Sequence, residues 1–214
     1  MTESATGIIL RTRALTETSL IVHWLTAGQG RIATVAKGAR RPKSTFAGKL
    51  DLFYAADFQF QPSRRSDLHT LREVGLRDTH PALRRELGWL QQAAYAATLV
   101  EQTTETGTPL PEIYALFAEF LAHLPGQSPK PRSIFAFELK LLRELGLEPD
   151  AAEINLPPAT QQLIAALTET PFAGLAALRA TAAQAVAVRQ FLHGFLIYHL
   201  GKFPKARASV VQGS

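Results

Sequence analysis

Six basic side chains crowd a short stretch near the N-terminus: Arg31, Lys37, Arg40, Arg41, Lys43 and Lys49. No acidic residue occurs between Glu17 and Asp51. Lysine and arginine at this density neutralise phosphates without reading base edges, which predicts sequence-independent, salt-sensitive binding to nucleic acid. Gly38 and Pro42 break the strand that ends near Ala36, so we expect the four cations Lys37, Arg40, Arg41 and Lys43 on an exposed loop. Charge alone would equally fit a solvated basic surface that binds no ligand.

Three further residues could extend such a site. Arg11 and Arg13 alternate along the first predicted strand, and we expect them on its outer surface as secondary phosphate contacts. Phe46 lies within the basic segment, and we expect its ring to be exposed for base stacking. Tyr54, Phe58 and Phe60 alternate along a later strand and fit a core face better.

Residue patterns of the common catalytic sites are missing from the chain. The nearest approach to a Walker A loop, Gly48-Lys49-Leu50, lacks the hydroxyl and the upstream glycine that nucleotide binding needs. His193 and His199 are six residues apart, on different faces of a predicted helix, and make a poor metal pair. The N-terminal aspartates form no two-metal motif: Asp51, Asp57, Asp67 and Asp78. We therefore predict no catalysis of covalent chemistry, no cofactor and no metal site.

The positive charge is confined to the first third of the chain. Residues 1–80 hold 12 basic and 7 acidic residues, an excess of five, whereas residues 81–214 hold 11 of each. Cysteine is absent, which removes disulfides and thiolate metal sites and fits a reducing cytoplasm. No apolar run reaches the roughly 18 residues of a membrane span, and the N-terminus has no signal-peptide pattern. We expect a cytoplasmic, nucleoid-associated protein that does not contact the membrane.

The first 80 residues are predicted to form a barrel that positions these cations. A glycine-containing turn at 27–30 joins two apolar runs into a hairpin. Five short strands are predicted in all: 7–13, 20–25, 31–37, 52–60 and 68–76. This number of strands in so short a segment favours a closed OB-fold barrel, with a five-stranded barrel of another topology as the alternative.

Residues 81–214 carry helical periodicity instead. Apolar residues recur every three or four positions, as in Leu83, Leu87 and Leu90, and turn-rich segments separate the periodic stretches. The predicted fold class is therefore α+β multidomain. It has an OB-fold domain at 1–80 and an all-α domain at 81–214.

The N-terminal segments resemble the RecO family of recombination mediators. The resemblance rests on Gly7–Arg13, on the hydroxyl pair Thr18-Ser19, and above all on Ala36–Ser44, with a long strand from Leu50 to Phe60 following. It implies an OB-fold that binds single- and double-stranded DNA and anneals complementary strands without ATP. It also implies partnership with RecR, contact with the acidic tail of single-stranded DNA-binding protein, and indirect help in loading RecA at gaps.

An acidic tail needs cations beside an apolar groove. Candidates in the helical half are Arg132, Lys140, Arg143, Lys202 and Lys205. Scattered surface charge explains each of them equally well.

The sequence departs from the family in one respect. Many RecO-like proteins carry a four-cysteine zinc site in the helical domain, but residues 146–172 contain neither cysteine nor histidine. We predict that apolar packing holds this region, through Leu147, Ile154, Leu156 and Leu163.

Three other functions are open on the residues alone. An RNA-binding OB module in translation or RNA processing would show the same barrel and charge. A structural adaptor would use its basic face on an acidic protein and would lack affinity for nucleic acid. A nuclease is the remaining enzymatic candidate.

Overall fold

A computed structural model describes residues 1–150, 154–201 and 204–211, and the chain divides into two compact units. The first unit comprises Met1–Pro81 together with Thr104–Ala118. The second comprises Ala82–Thr103 together with Glu119–Ser214. The predicted single domain boundary near residue 80 did not include the segment 104–118, which returns to the first unit.

Five strands form the first unit's closed barrel: β1 (Glu3–Ala14), β2 (Leu20–Thr26), β3 (Gly30–Ala36), β4 (Ala55–Gln61) and β5 (Leu68–Asp78). The strand order around the barrel is β1-β2-β3-β5-β4, and β4 closes onto β1. Strands β3 and β5 pair in parallel, while every other pair is antiparallel. This is the five-stranded OB-fold barrel predicted from the sequence.

The barrel interior follows from alternation along the strands. Ala56, Phe58 and Phe60 of β4 point inward and are at most 2% exposed. Trp24 of β2 stacks on Phe58 with ring centroids 4.1 Å apart. Its indole N–H donates to the Thr34 hydroxyl at 2.9 Å, so the one polar atom of this buried ring has a partner.

Strand β4 begins later than predicted. Residues 51–54 form a turn, in which Phe53 has φ +66° and is 1% exposed. The Phe53 N–H donates to the Ile9 carbonyl at 2.9 Å. Positive φ costs a non-glycine residue about 1–2 kcal/mol, and burial of the Phe53 ring offsets that cost. The first residues of the predicted strand therefore form a turn, and the turn buries the Phe53 ring.

The returning segment 104–118 joins the barrel beside the β2–β3 turn. Thr106 forms a parallel β-bridge with Arg31, and the Gly107 N–H donates to the Arg31 carbonyl at 2.9 Å. Gly30, with φ +62°, is required at this contact, because a Cβ there would lie 1.7 Å from the Thr108 carbonyl oxygen.

The helices are α1 (Leu87–Thr103), α2 (Pro111–His123), α3 (Pro131–Glu144), α4 (Pro158–Glu169), α5 (Ala182–Leu200) and α6 (Arg207–Val211). Proline opens α2, α3 and α4, where its missing N–H costs no helical hydrogen bond. Thr181 and Gln184 form a capping box at the start of α5. Within the described ranges, no helix is both long and apolar enough to cross a bilayer.

A buried ion pair links three helices of the second unit. Arg207 of α6 donates two hydrogen bonds to Glu138 of α3, at 2.7 and 2.8 Å, and Tyr95 of α1 donates a third at 2.5 Å. All three residues are at most 2% exposed. Burial, and next the charge of Glu138, raise the pKa of the Tyr95 hydroxyl. Burial opposes the charge of Arg207, but the hydrogen bond and charge of Glu138 raise its pKa above the ordinary value.

The region after α3 is held by packing and by polar contacts that the sequence did not reveal. Ile154 and Leu163 are buried, as predicted, and Leu147 and Leu156 are half-buried. The Gln161 amide donates to two carbonyls of the preceding loop, at 2.9 and 3.0 Å. Where the structure describes the chain, no group of three or more histidine or carboxylate side chains is placed to hold a metal ion.

Candidate nucleic-acid interface

Residues 37–50, here called the basic loop, follow β3 as a series of turns and lead through the turn at 51–54 to β4. The Arg41 N–H donates to the Gly38 carbonyl at 3.0 Å, and the Ser44 N–H donates to the Arg41 carbonyl at 3.1 Å. A further turn joins Lys49 to Phe46 at 3.0 Å. These bonds occupy the loop's own backbone groups, so the basic loop holds a defined conformation outside the sheet.

The basic loop is bonded to the β1–β2 turn. The Arg40 N–H donates to the Thr18 carbonyl at 3.0 Å, and the Arg40 guanidinium donates to the Thr16 carbonyl at 3.2 Å. The Ser19 hydroxyl accepts from the Gly38 N–H at 3.4 Å. Backbone carbonyls carry no net charge, so these hydrogen bonds do not neutralise the positive charge of Arg40.

Phe46 anchors the basic loop from within. Its ring is 8% exposed and belongs to the hydrophobic core of the barrel. The prediction of an exposed ring at Phe46 is therefore wrong. The physical reason is that Phe46 is the one large apolar residue between Lys37 and Lys49, and burying it closes the end of the barrel.

The cations of the basic loop face solvent. Lys37, Arg40, Arg41 and Lys43 are exposed, and Lys49 is half-exposed. Among the residues that the structure describes, no carboxylate forms a salt bridge with any of these five side chains. The basic loop thus presents five charges that the protein's own acids do not neutralise, which is the arrangement expected of a phosphate-binding surface.

A second group of cations lies on the outer surface of β1 to β3. Arg11 pairs with His23 across β1 and β2, and Arg13 follows on the same side of β1. Burial, then the charges of Arg11, Arg13 and Arg31, lower the pKa of His23 to about 4. The imidazole is therefore neutral at pH 7, while the exposed Arg11 and Arg13 extend the positive surface along β1.

Arg31 does not lie with the basic loop. It sits at the opposite end of β3, six residues from Lys37, or about 20 Å along an extended strand. Its side chain is half-buried, and its Nε donates to the Thr104 hydroxyl at 2.8 Å. A second bond from the same guanidinium reaches the Thr104 carbonyl. Arg31, a predicted phosphate contact, therefore lies apart from the loop cations, and its side chain fastens the returning segment to the barrel.

Two of the predicted partner-binding cations are engaged within the second unit. Arg143 forms ion pairs with Glu148 at 2.8 Å and with Glu169. Hydrogen bonds to these two carboxylates raise the Arg143 pKa. Lys140 donates to the Thr168 carbonyl at 2.7 Å, and burial is the main cause that lowers its pKa. These contacts leave Lys140 and Arg143 poorly placed to receive an acidic ligand.

The other partner candidates differ in their surroundings. Lys202 lies outside the described residues. Lys205 is exposed in the turn that precedes α6. Arg132 borders an apolar groove of about 550 Å³ within the second unit.

That groove has a basic rim. Its apolar lining includes Phe135, Leu163, Leu167, Leu178 and Val186, and its basic residues are Lys130, Arg132, Arg179 and Arg189. None of the described residues that line it is acidic. Sequence reasoning identified Arg132 but missed the other three cations. They lie far apart along the chain, and no spacing rule connects them.

Two comparisons with known proteins now bear on these surfaces. Residues 1–80 match the sequence profile "Recombination protein O N terminal", and residues 90–153 match "Recombination protein O C terminal". The chain belongs to the RecO family. The resemblance found in the basic loop and its neighbouring strands is thereby confirmed.

Relatives described as DNA repair protein RecO align with most of the described chain. The relative from Anaeromyxobacter dehalogenans is 34% identical over 144 residues, which cover 67% of this chain and 57% of the relative. Those from Symbiobacterium thermophilum and Bacillus subtilis are 36% and 32% identical, with 68% and 67% of this chain and 57% and 56% of each relative covered. The aligned part therefore spans somewhat more than half of each RecO relative.

Proposed function

We propose that this RecO-family chain acts in DNA repair as a recombination mediator that grips the DNA backbone with its basic loop. The observation that supports the proposal is the set of five loop cations without a carboxylate partner among the described residues. These side chains neutralise phosphates of single- and double-stranded DNA without reading sequence. Arg11 and Arg13 provide secondary contacts along β1.

The proposed mechanism is physical and involves no covalent step. Two complementary strands repel each other through their phosphates, and cations held between them lower that repulsion. The turns of the basic loop fix these charges in place before DNA binds, so less conformational entropy is lost on binding. Base pairing then releases the free energy that joins the strands, without ATP.

The wider reaction needs partners. We propose that the chain acts with RecR at gaps coated by single-stranded DNA-binding protein and thereby helps RecA to load. This activity would place the protein on the nucleoid. Each of these partnerships is a proposal based on family membership.

Strand annealing without ATP tests the central proposal. We expect the full chain to accelerate pairing of complementary oligonucleotides, followed by fluorescence quenching. Five phosphate contacts predict that affinity for a single strand falls about 100-fold between 50 and 200 mM salt. Absence of acceleration at every salt concentration would contradict the proposal. Intact strands on a denaturing gel after incubation with Mg²⁺ serve as the control against nuclease activity.

We further propose that the basic-rimmed groove of the second unit receives the acidic tail of single-stranded DNA-binding protein. An acidic peptide with apolar side chains matches both the cations and the apolar lining of the groove. Arg132 is the predicted partner-binding residue that this arrangement supports best.

The groove proposal predicts that Arg132→Glu weakens binding of a peptide ending in acidic and aromatic residues by about tenfold, because a rim attraction becomes a repulsion. Fluorescence anisotropy with a labelled peptide measures the affinity. Arg85→Glu makes the same charge change at an exposed site and is expected to leave affinity unchanged. Equal affinities for Arg132→Glu and the unmodified chain would exclude the groove, and no binding at all would exclude this partner.

A further inference from the structure

A small cleft lies between the basic loop and the end of the barrel. Its volume is about 190 Å³. Its lining comprises the apolar residues Leu20, Ala39, Phe46, Ala47, Leu50 and Tyr54, together with Gly48 and the acidic Asp51. Four of these residues are partly buried hydrophobics that pack on the barrel core, and Phe46 belongs to that core. Apolar residues that pack on the barrel core therefore form part of the cleft, which remains open to solvent.

Tyr54 is the aromatic side chain of this cleft that solvent can reach. It is half-buried, whereas Phe46 is only 8% exposed. Two backbone hydrogen bonds hold the residue: the Tyr54 carbonyl accepts from the Ile9 N–H at 3.0 Å, and the Tyr54 N–H donates to the Asp51 carbonyl at 3.3 Å. A ring attached to so constrained a backbone can serve as a preformed stacking surface.

The basic loop supplies both the wall of the cleft and the charges around it. Ala39 in the wall directly precedes Arg40, and Gly48 in the wall directly precedes Lys49. Two cations therefore follow the cleft wall directly in the chain, and Asp51 offers a hydrogen-bond acceptor within the lining. That combination matches a nucleotide within a strand, where a planar base is flanked by phosphates.

We propose that this cleft binds one unstacked nucleobase of single-stranded DNA, with Tyr54 as the stacking residue. The cleft is smaller than the roughly 300–1,000 Å³ of sites for drug-sized ligands, which suits a single base. Bases in a duplex are stacked on their neighbours and cannot enter. The proposal rests on the proposed DNA binding by the basic loop and adds to it a contact that only single strands make.

Tyr54→Ala is expected to weaken binding of an oligothymidylate single strand by about 5- to 150-fold, the range that loss of one base–aromatic stack produces. Affinity for a duplex of equal length is expected to change less than about twofold, because phosphate contacts remain. Tyr54→Phe retains the ring and is expected to bind single strands as the unmodified chain does. Equal single-strand affinities of Tyr54→Ala and the unmodified chain would overturn the proposal.

Abasic oligonucleotides provide a second measurement that needs no folded Tyr54→Ala variant. Removing the bases from a single strand is expected to weaken its binding to the unmodified chain by a similar factor. Ala47→Leu, which narrows the cleft from an exposed position, is expected to abolish the difference between the two oligonucleotides. If the unmodified chain binds both strands equally, the cleft proposal fails while backbone binding stands. If it binds neither strand nor duplex, the proposed function itself fails.

Discussion

Replacing Arg40 and Arg41 together by glutamate is expected to weaken DNA binding about 30- to 1,000-fold at low salt. A contact between unit charges about 4 Å apart is worth about 1 kcal/mol in a water-like dielectric, and charge reversal adds a repulsion of similar size. Both residues are exposed and carry no carboxylate partner among the described residues. Loss of two phosphate contacts should also reduce the slope of log affinity against log salt by about 1.8 for duplex DNA and 1.4 for a single strand.

Arg64→Glu with Arg65→Glu is the matched control. These exposed arginines lie in the β4–β5 turn, and the parallel register of β3 and β5 places that turn at the end of the barrel away from the basic loop. The control has the same net charge as the test variant. An equal loss of affinity in both variants, measured by fluorescence anisotropy across a salt series, would show that overall charge and not the basic loop governs binding.

Glu138→Gln is expected to lower the free energy of unfolding of the second unit by about 3–5 kcal/mol. The substitution leaves the Arg207 guanidinium, which is 2% exposed, without its carboxylate. It also replaces an oxygen that accepts from Tyr95. Urea unfolding followed by circular dichroism at a helical wavelength measures the change.

Two control variants test whether the loss of stability comes from the buried ion pair. Glu148→Gln removes one partner of Arg143 at the surface, where an ion pair contributes at most about 1 kcal/mol. Glu138→Leu combined with Arg207→Met removes both buried charges and is expected to recover most of the loss, since apolar residues of similar volume can replace a buried pair. If Glu138→Gln unfolds at the same urea concentration as Glu148→Gln, the buried pair does not stabilise these helices as described.

The two groups of cations show how far residue type predicts a site. Glycine and proline around Arg40 and Arg41 indicated a loop, and the loop is exposed as predicted. The same charge count placed Arg31 in that group, although its guanidinium binds Thr104. Charge density along a sequence does not distinguish a cation that faces solvent from one that binds a distant carbonyl, because the acceptor lies 73 residues away.

In the helical half, residue type likewise did not predict which cations border the apolar groove. Arg132 and Lys140 were equal candidates in the sequence, yet Arg132 borders the apolar groove and Lys140 binds the Thr168 carbonyl. Arg179 and Arg189 complete the rim of the groove and were not predicted at all. Helix packing brings these residues together, and packing depends on contacts between segments that no local pattern encodes.

By itself, the sequence determined the OB-fold barrel, the helical character of residues beyond 80, the exposed basic loop and the RecO family, because alternation, turn residues and local charge are properties of short segments. The tertiary structure alone decided that Phe46 is buried, that Tyr54 borders an open cleft, and that residues 104–118 return to the barrel. Each of these depends on which distant surfaces meet when apolar area leaves water, and burial is settled by the whole fold.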